Sequence, residues 1–171
     1  MQVDDILVRR LLPEDAALYR EIRLEGLRLS PEAFGSTFEV ESAKPVELFA
    51  DRIRDSETLG GFEGSEILGI AGLLVNHGPK ESHKGRLVGM YVRPKARNRG
   101  VGQRLVEAVI EVARARVELL HLAVVSDNHS ARRLYARLGF MEYGFEKKSL
   151  KQGGRYTDEV LMAKDLLLEP R

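Results

Sequence analysis

Apolar positions along the chain follow two periods. Val101, Leu105, Val109, Ala113 and Val117 recur every four residues, and Val106 and Ile110 widen the stripe. This predicts an amphipathic helix over 100–117. Leu18, Ile22 and Leu29 keep the same period behind Pro13-Glu14-Asp15, whose proline and acids suit a helix start. Ser30-Pro31-Glu32 restarts a short helical turn, and Val46, Phe49 and Ile53 share one face of a helix over 45–55. Between them, Phe34-Gly35-Ser36-Thr37-Phe38 reads as a loop with two exposed aromatics. Ala131, Leu134, Tyr135 and Leu138 mark a short helix capped by Ser126-Asp127-Asn128 and ended by Gly139.

Strand signals fill the gaps. Ile6-Leu7-Val8 is a short one, and 58–62 and 67–75 flank the turn Glu63-Gly64-Ser65-Glu66. A polar loop over 76–84 leads to a strand over 87–92. The segment 119–125 is almost continuously apolar, as expected of a strand covered on both faces. Two long strands, 141–150 and 155–166, meet at Lys151-Gln152-Gly153-Gly154. The order is one strand, helices, three strands, helix, strand, helix, two strands. It predicts an α/β domain with a mixed sheet (α+β-like), in which a central β-α-β unit is flanked by antiparallel strands. With 171 residues and no linker, repeat or low-complexity stretch, one domain spanning 1–171 is expected.

Composition narrows the classes. Hydrophobic residues make up 43% and charged residues 31%, as in a soluble globular protein. A net charge of +1 argues against a nucleic-acid coat. The chain has no cysteine, which excludes disulfides, thiol catalysis and cysteine metal sites and fits a reducing compartment. Its histidines, His77, His83, His121 and His129, show no paired spacing with carboxylates, so no metal site is expected. Met1-Gln2-Val3-Asp4-Asp5 lacks the features of a signal peptide. No apolar run nears the roughly 20 residues of a membrane span. A cytoplasmic location is the expectation.

Charge is unevenly placed, however. From Ser82 to Val106 there is no acidic residue, while Lys84, Arg86, Arg93, Lys95, Arg97, Arg99 and Arg104 are basic. Within this stretch a strand leads through a basic loop to Gly100-Val101-Gly102 at the mouth of the helix. Unpaired N–H groups and the positive end of a helix dipole suit an anion there, and glycines admit a close approach. The pattern is neither Gly-x-x-x-x-Gly-Lys-Ser/Thr nor a dinucleotide fingerprint. A solvated loop at an ordinary helix start is the bland alternative, but unneeded surfaces normally mix signs.

Arg97-x-x-Gly100-x-Gly102, after a strand ending Val92-Arg93-Pro94, resembles the acetyl-CoA-binding motif of the GNAT superfamily of N-acetyltransferases. The segment from Asn128 to Phe140, with its Asn, Ala, Tyr and Gly-Phe, resembles the later helix segment of that family. Asp158 to Leu166 resembles its last strand. The resemblance covers roughly half the chain and implies a GNAT-type acyl-CoA N-acyltransferase fold and transfer of acetyl from acetyl-CoA to a primary amine. It also implies that backbone N–H groups of Arg97, Asn98, Arg99, Gly100, Val101, Gly102, Gln103 and Arg104 hold the pyrophosphate, with charge from Arg97 and Arg99. Met90, Tyr91 and Val92 would pair with the pantetheine arm, Asn128 and Ala131 would contact it, and Tyr135 would be the general acid for the leaving thiolate. By position alone, Tyr135 is a core aromatic and Asn128 a plain N-cap.

No carboxylate stands between Arg86 and Arg93, where many relatives carry a glutamate as base. Glu32, Glu39, Glu41 and His83 are candidates by position only, each more simply read as surface, and a water relay serves equally. The acceptor, expected to be a small-molecule amine, would meet 27–40 and 143–158, with Phe34–Phe38 and Tyr156-Thr157-Asp158-Glu159 lining the pocket. Alternatives are a protein or peptide N-acetyltransferase and a non-catalytic acyl-CoA sensor. A homodimer is a further state the resemblance admits. No nucleic-acid or membrane partner is expected.

Overall fold

A computed structural model describes residues 5–168, so the expectation for the extreme N-terminus falls largely outside the described residues. Seven strands form one sheet: β1 (Ile6–Arg10), β2 (Glu57–Glu63), β3 (Glu66–Val75), β4 (Lys84–Val92), β5 (Leu119–Val125), β6 (Met141–Gln152) and β7 (Arg155–Asp165). The helices are α1 (Ala16–Leu29), α2 (Phe38–Ser42), α3 (Val46–Asp55), α4 (Val101–Arg114) and α5 (His129–Arg137). Strand order is β1-β2-β3-β4-β5-β7-β6. All pairs are antiparallel except β4–β5, which α4 connects as a parallel crossover.

The stripe predicted for α4 is buried as expected. Val101, Leu105, Val106, Val109, Ile110 and Ala113 pack on Leu68, Ala71, Leu73, Leu120 and Leu122 of the sheet. The opposite face is covered only over its first half, where Tyr19, Ile22 and Leu27 of α1 and Phe49 and Ile53 of α3 pack on Phe62, Ile67, Ile70 and Tyr91. β3 is therefore buried on both faces. β5 is not, contrary to expectation: Leu120, Leu122 and Val124 are buried, but Ala123 between them is exposed because α1 and α3 do not reach that far.

Two local expectations also change. Phe34 is buried against Tyr91, with ring centroids 6.4 Å apart, and Phe38 opens α2. That short helix was hidden by a weak period. Its signal is Thr37, whose hydroxyl accepts the Val40 N–H at 3.3 Å as an N-cap.

The parallel contact is short. Register pairs Lys84 with Leu119, Gly85 with Leu120 and Arg86 with His121, and then stops. Beyond it β4 pairs only with β3 and β5 only with β7, so the two strands splay. On the other side of β4 the register with β3 slips by one residue between Ile70 and Gly72, and Gly89 takes φ +62°. This is a β-bulge, which bends β4 away from a regular ladder.

α4 lies close to the sheet because β2 and β3 carry glycines beneath it. A Cβ on Gly69 would come within 2.8 Å of Leu105 Cδ1 and 3.0 Å of the Tyr91 carbonyl oxygen. Gly69→Ala is expected to lower stability by about 2 kcal/mol, read from urea unfolding, because neither a buried leucine nor strand backbone can give way freely.

Candidate active site

The splay opens a cleft of about 1410 Å³ that runs between β4 and β5 from the α4 N-terminus to α1 and α3. Its edges are strand backbone without a ladder partner on the cleft side, the arrangement that accepts an extended ligand as an added strand.

At one end stands the turn. Pro94–Ala96 make a single 3-10 turn, and Asn98 and Gly100 take φ +60° and +81°. Gly100 is the N-cap of α4, with no side-chain cap and no acid in the first turn. The Arg104 N–H already donates to the Gly100 carbonyl at 3.1 Å, so the N–H groups without helical acceptors are those of Val101, Gly102 and Gln103. Arg104 was expected to offer its own N–H to the ligand, and this helical bond uses it.

Of the residues singled out, Met90, Tyr91, Val92, Arg97, Asn98, Gly100, Gly102, Gln103, Asn128, Ala131 and Tyr135 line the cleft. Three do not turn their side chains to it. Val101 is buried in the core, Arg104 donates through Nη1 to the Ile6 carbonyl at 2.8 Å, and Arg99 pairs with Glu63. The basic stretch is in fact largely neutralised by acids from distant segments. Arg93 faces Glu21 at 2.7 Å, Glu25 at 3.1 Å and Glu66 at 3.6 Å, and Lys95 also pairs with Glu66. Arg97 stays at the cleft, its Nε donating to the Val92 carbonyl at 3.2 Å.

In the middle lies Tyr135. It is buried, edge-on to Phe140 at 5.8 Å, and no protein hydrogen bond holds its hydroxyl among the described residues. Burial pushes its phenol up to about 12, so it stays protonated across the working range. Asn128 is the N-cap of α5, its Oδ1 accepting the Ala131 N–H at 3.2 Å. Tyr91 points the other way along β4 and donates to Glu25 Oε1 at 3.0 Å; burial and then the Glu25 bond push it up to about 12.

The far end was poorly anticipated. Ser30, Glu32, Ala33, Phe34 and Gly35 line it, as expected of the helix connection. From the hairpin only Glu159 reaches it, whereas Tyr156 does not. Tyr19, Arg23, Arg52, Ser56 and Thr58 complete the wall, and no periodicity marked them. Behind them Glu41, expected at the surface, is buried. Arg52 binds it through Nη1 at 3.0 Å and Nη2 at 3.2 Å, Arg23 Nε stands at 3.4 Å and Lys44 Nζ at 3.6 Å. Burial raises the Glu41 carboxyl, but the Arg52 bonds and the Arg23 charge outweigh that and bring it to about 2. Among the described residues no group of acids and histidines could hold a metal, and no helix is long and apolar enough to cross a membrane.

A model of the acetyltransferase (GNAT) family matches residues 24–140, well over half the chain. The chain belongs to that family. Among curated GNAT relatives, it is 28% identical over 167 residues to the L-amino acid N-acetyltransferase of Escherichia coli, covering 95% of this chain and 99% of that one. It is 29% identical over 153 residues to an L-methionine sulfoximine/L-methionine sulfone acetyltransferase of Pseudomonas aeruginosa, covering 82% and 87%. The fold matches a GNAT acetyltransferase from Streptococcus pneumoniae at TM-score 0.84 and 24% identity, over 94% of this chain and 99% of that one. It also matches a Salmonella typhimurium acetyltransferase, solved with acetyl-CoA, at 0.82 and 18%, over 97% and 96%.

The Glu41 cluster has a pH signature. Its depressed carboxyl contributes stability that is fully present above about pH 4.5 and is lost as pH falls toward 2. Glu41→Gln leaves buried cations without their counter-charge and should cost about 3 kcal/mol at neutral pH. The gap between variant and wild type in urea titrations should shrink steadily below about pH 4.5.

Proposed function

We propose that the chain transfers the acetyl group of acetyl-CoA to the primary amine of a small molecule. The observation that carries this reading is the splay itself. One continuous cleft joins an uncapped helix N-terminus, two unpaired strand edges, a buried tyrosine and an open far end.

Each part has a matching group on the donor. The N–H groups of Val101, Gly102 and Gln103 suit a pyrophosphate, with Arg97 beside them. Gly100 has open space where a Cβ would stand, so the backbone lies bare to a ligand. Arg99 pairs with Glu63, which offsets its charge, so it adds little to the positive field of the turn. The edges of β4 at Met90–Val92 and of β5 suit the amide-bearing pantetheine arm, with Asn128 and Ala131 at the entry to α5. A backbone N–H of β4 at the bulge would polarise the thioester carbonyl.

The amine nitrogen attacks the carbonyl carbon and a C–N bond forms. The C–S bond then breaks, and the electron pair leaves on sulfur. β4 offers no carboxylate, so the nitrogen sheds its proton through water, with Glu32, Asp127 and Glu159 the carboxylates on the lining, and the thiolate takes up one proton. Tyr135 supplies a hydrogen bond to the departing sulfur. With its phenol near 12, full transfer to a thiolate of ordinary pKa, about 8.5, runs uphill. Its part is therefore to stabilise the charge as it develops and to pass the proton on with solvent. A small acceptor suits the walled far end, and relatives that span most of the chain are named for acetylating amino acids and their analogues.

Calorimetry with acetyl-CoA should give micromolar binding, and thiol release with an amine panel should show turnover. Tyr135→Phe should lower kcat about 100-fold while the Kd for acetyl-CoA stays within about twofold. An unchanged kcat would remove Tyr135 from the chemistry.

A further inference from the structure

We infer that the acceptor carries a carboxylate beside its amine, and that Arg23 is the residue that selects it. This rests on the cleft being the site of acetyl transfer to a small amine, and it names the class of that amine.

Arg23 lies on α1 and lines the far end of the cleft. Its side chain is 13% exposed and its guanidinium carbon stacks 5.3 Å from the Phe34 ring centre. Nε faces Glu41, which Arg52 already holds with both terminal nitrogens. Among the described residues, no protein acceptor takes Nη1 or Nη2 of Arg23. The Glu41 side is thus a brace, and the outer edge of the guanidinium is left over. That edge borders the β4 bulge: a Cβ on Gly89 would stand 3.5 Å from Arg23 Nη1. Glycine there leaves the guanidinium open to the start of the splay, one residue from Met90.

Two parallel N–H groups on a fixed planar cation match a carboxylate, and a braced, mostly buried arginine binds one more strongly than a mobile surface side chain. Arg23, Lys44 and Arg52 surround one carboxylate, Glu41, so the cluster itself is net positive; Arg23 and Arg52 line the cleft and Lys44 does not, and the acids on the lining are Glu32, Asp127 and Glu159. A polyamine would bring a further cation against the cluster. A peptide N-terminus would present a neutral amide in place of a carboxylate. A free α-amino acid places its carboxylate two bonds from the amine nitrogen, so a carboxylate held at Gly89 brings the amine to the bulge. The same cation disfavours a protonated amine beside it, which helps supply the neutral nucleophile that β4 provides no carboxylate to generate. The overall change is unaltered: amine and thioester give amide and free thiol.

The test compares L-leucine, L-methionine and L-phenylalanine with their α-carboxamides, using acetyl-CoA and thiol release. Wild type should favour each acid over its amide by about 100-fold in kcat/KM. Arg23→Gln should bring that ratio to within about threefold of one, chiefly by raising KM for the acid, and Arg23→Lys should fall between. The ratio is internal to each preparation, so partial unfolding of a variant cancels. Amides accepted as well as acids by wild type, or a ratio that Arg23→Gln leaves intact, would overturn the role of Arg23 while keeping the small-amine reading. No turnover of either series would sink both.

Discussion

The parallel contact between β4 and β5 lasts only three residue pairs, and most of the functional architecture depends on its ending there. A ladder that continued would seal the strand edges and close the cleft. Two features work against continuation. The bulge at Gly89 bends β4 on its β3 side, and β5 follows β7, with which it pairs along its whole length on the edge away from β4. α4, wedged over Gly61 and Gly69, then holds its N-terminus at the mouth of the gap. A defect in pairing is thereby made rigid by the packing around it, which is what a site needs if a ligand is to complete the sheet.

The parts of the fold with strong local signals were readable in advance. α4 declares itself by a stripe repeated over several turns, α5 by Asn128 and Gly139, and the central β-α-β unit by alternation of element types; the insertion of β7 between β5 and β6 left no such signal. Buried chemistry was less legible. Glu41 looks like any acid in a polar segment, because the arginines that surround it come from α1 and α3, and pairing at long range leaves no period. The bulge was invisible for a related reason: Gly89 among Val88 and Met90 reads as an ordinary strand interior, and only register against β3 reveals its positive φ.

The same blindness affected charge. A run of basic residues without acids suggested an electropositive face, and the fold brings Glu21, Glu25, Glu63 and Glu66 to meet it. What remains for an anion at the turn is mostly backbone: left-handed Asn98 and Gly100, then three N–H groups without helical acceptors. Backbone donors need no side-chain desolvation and cannot titrate, so a pyrophosphate held there as proposed would depend little on the pH of the protein's own groups.

The opposite end carries three cations, Arg23, Lys44 and Arg52, around the single buried carboxylate of Glu41. The two ends therefore make different demands. The end proposed for the donor is largely neutralised and glycine-lined, as a site for one shared donor can be. The end proposed for the acceptor carries a cation braced by a buried carboxylate, whose desolvation the bonds from Arg52 and Arg23 offset. Leu87 and Val88 occupy the adjoining stretch of β4 and offer neither a base nor a counter-charge; the carboxylates on the lining are Glu32, Asp127 and Glu159. On the proposed reading, a carboxylate arriving with the acceptor would balance the charge of the Arg23 cluster only when bound, which would tie recognition of the amine to the completion of the site's own electrostatics.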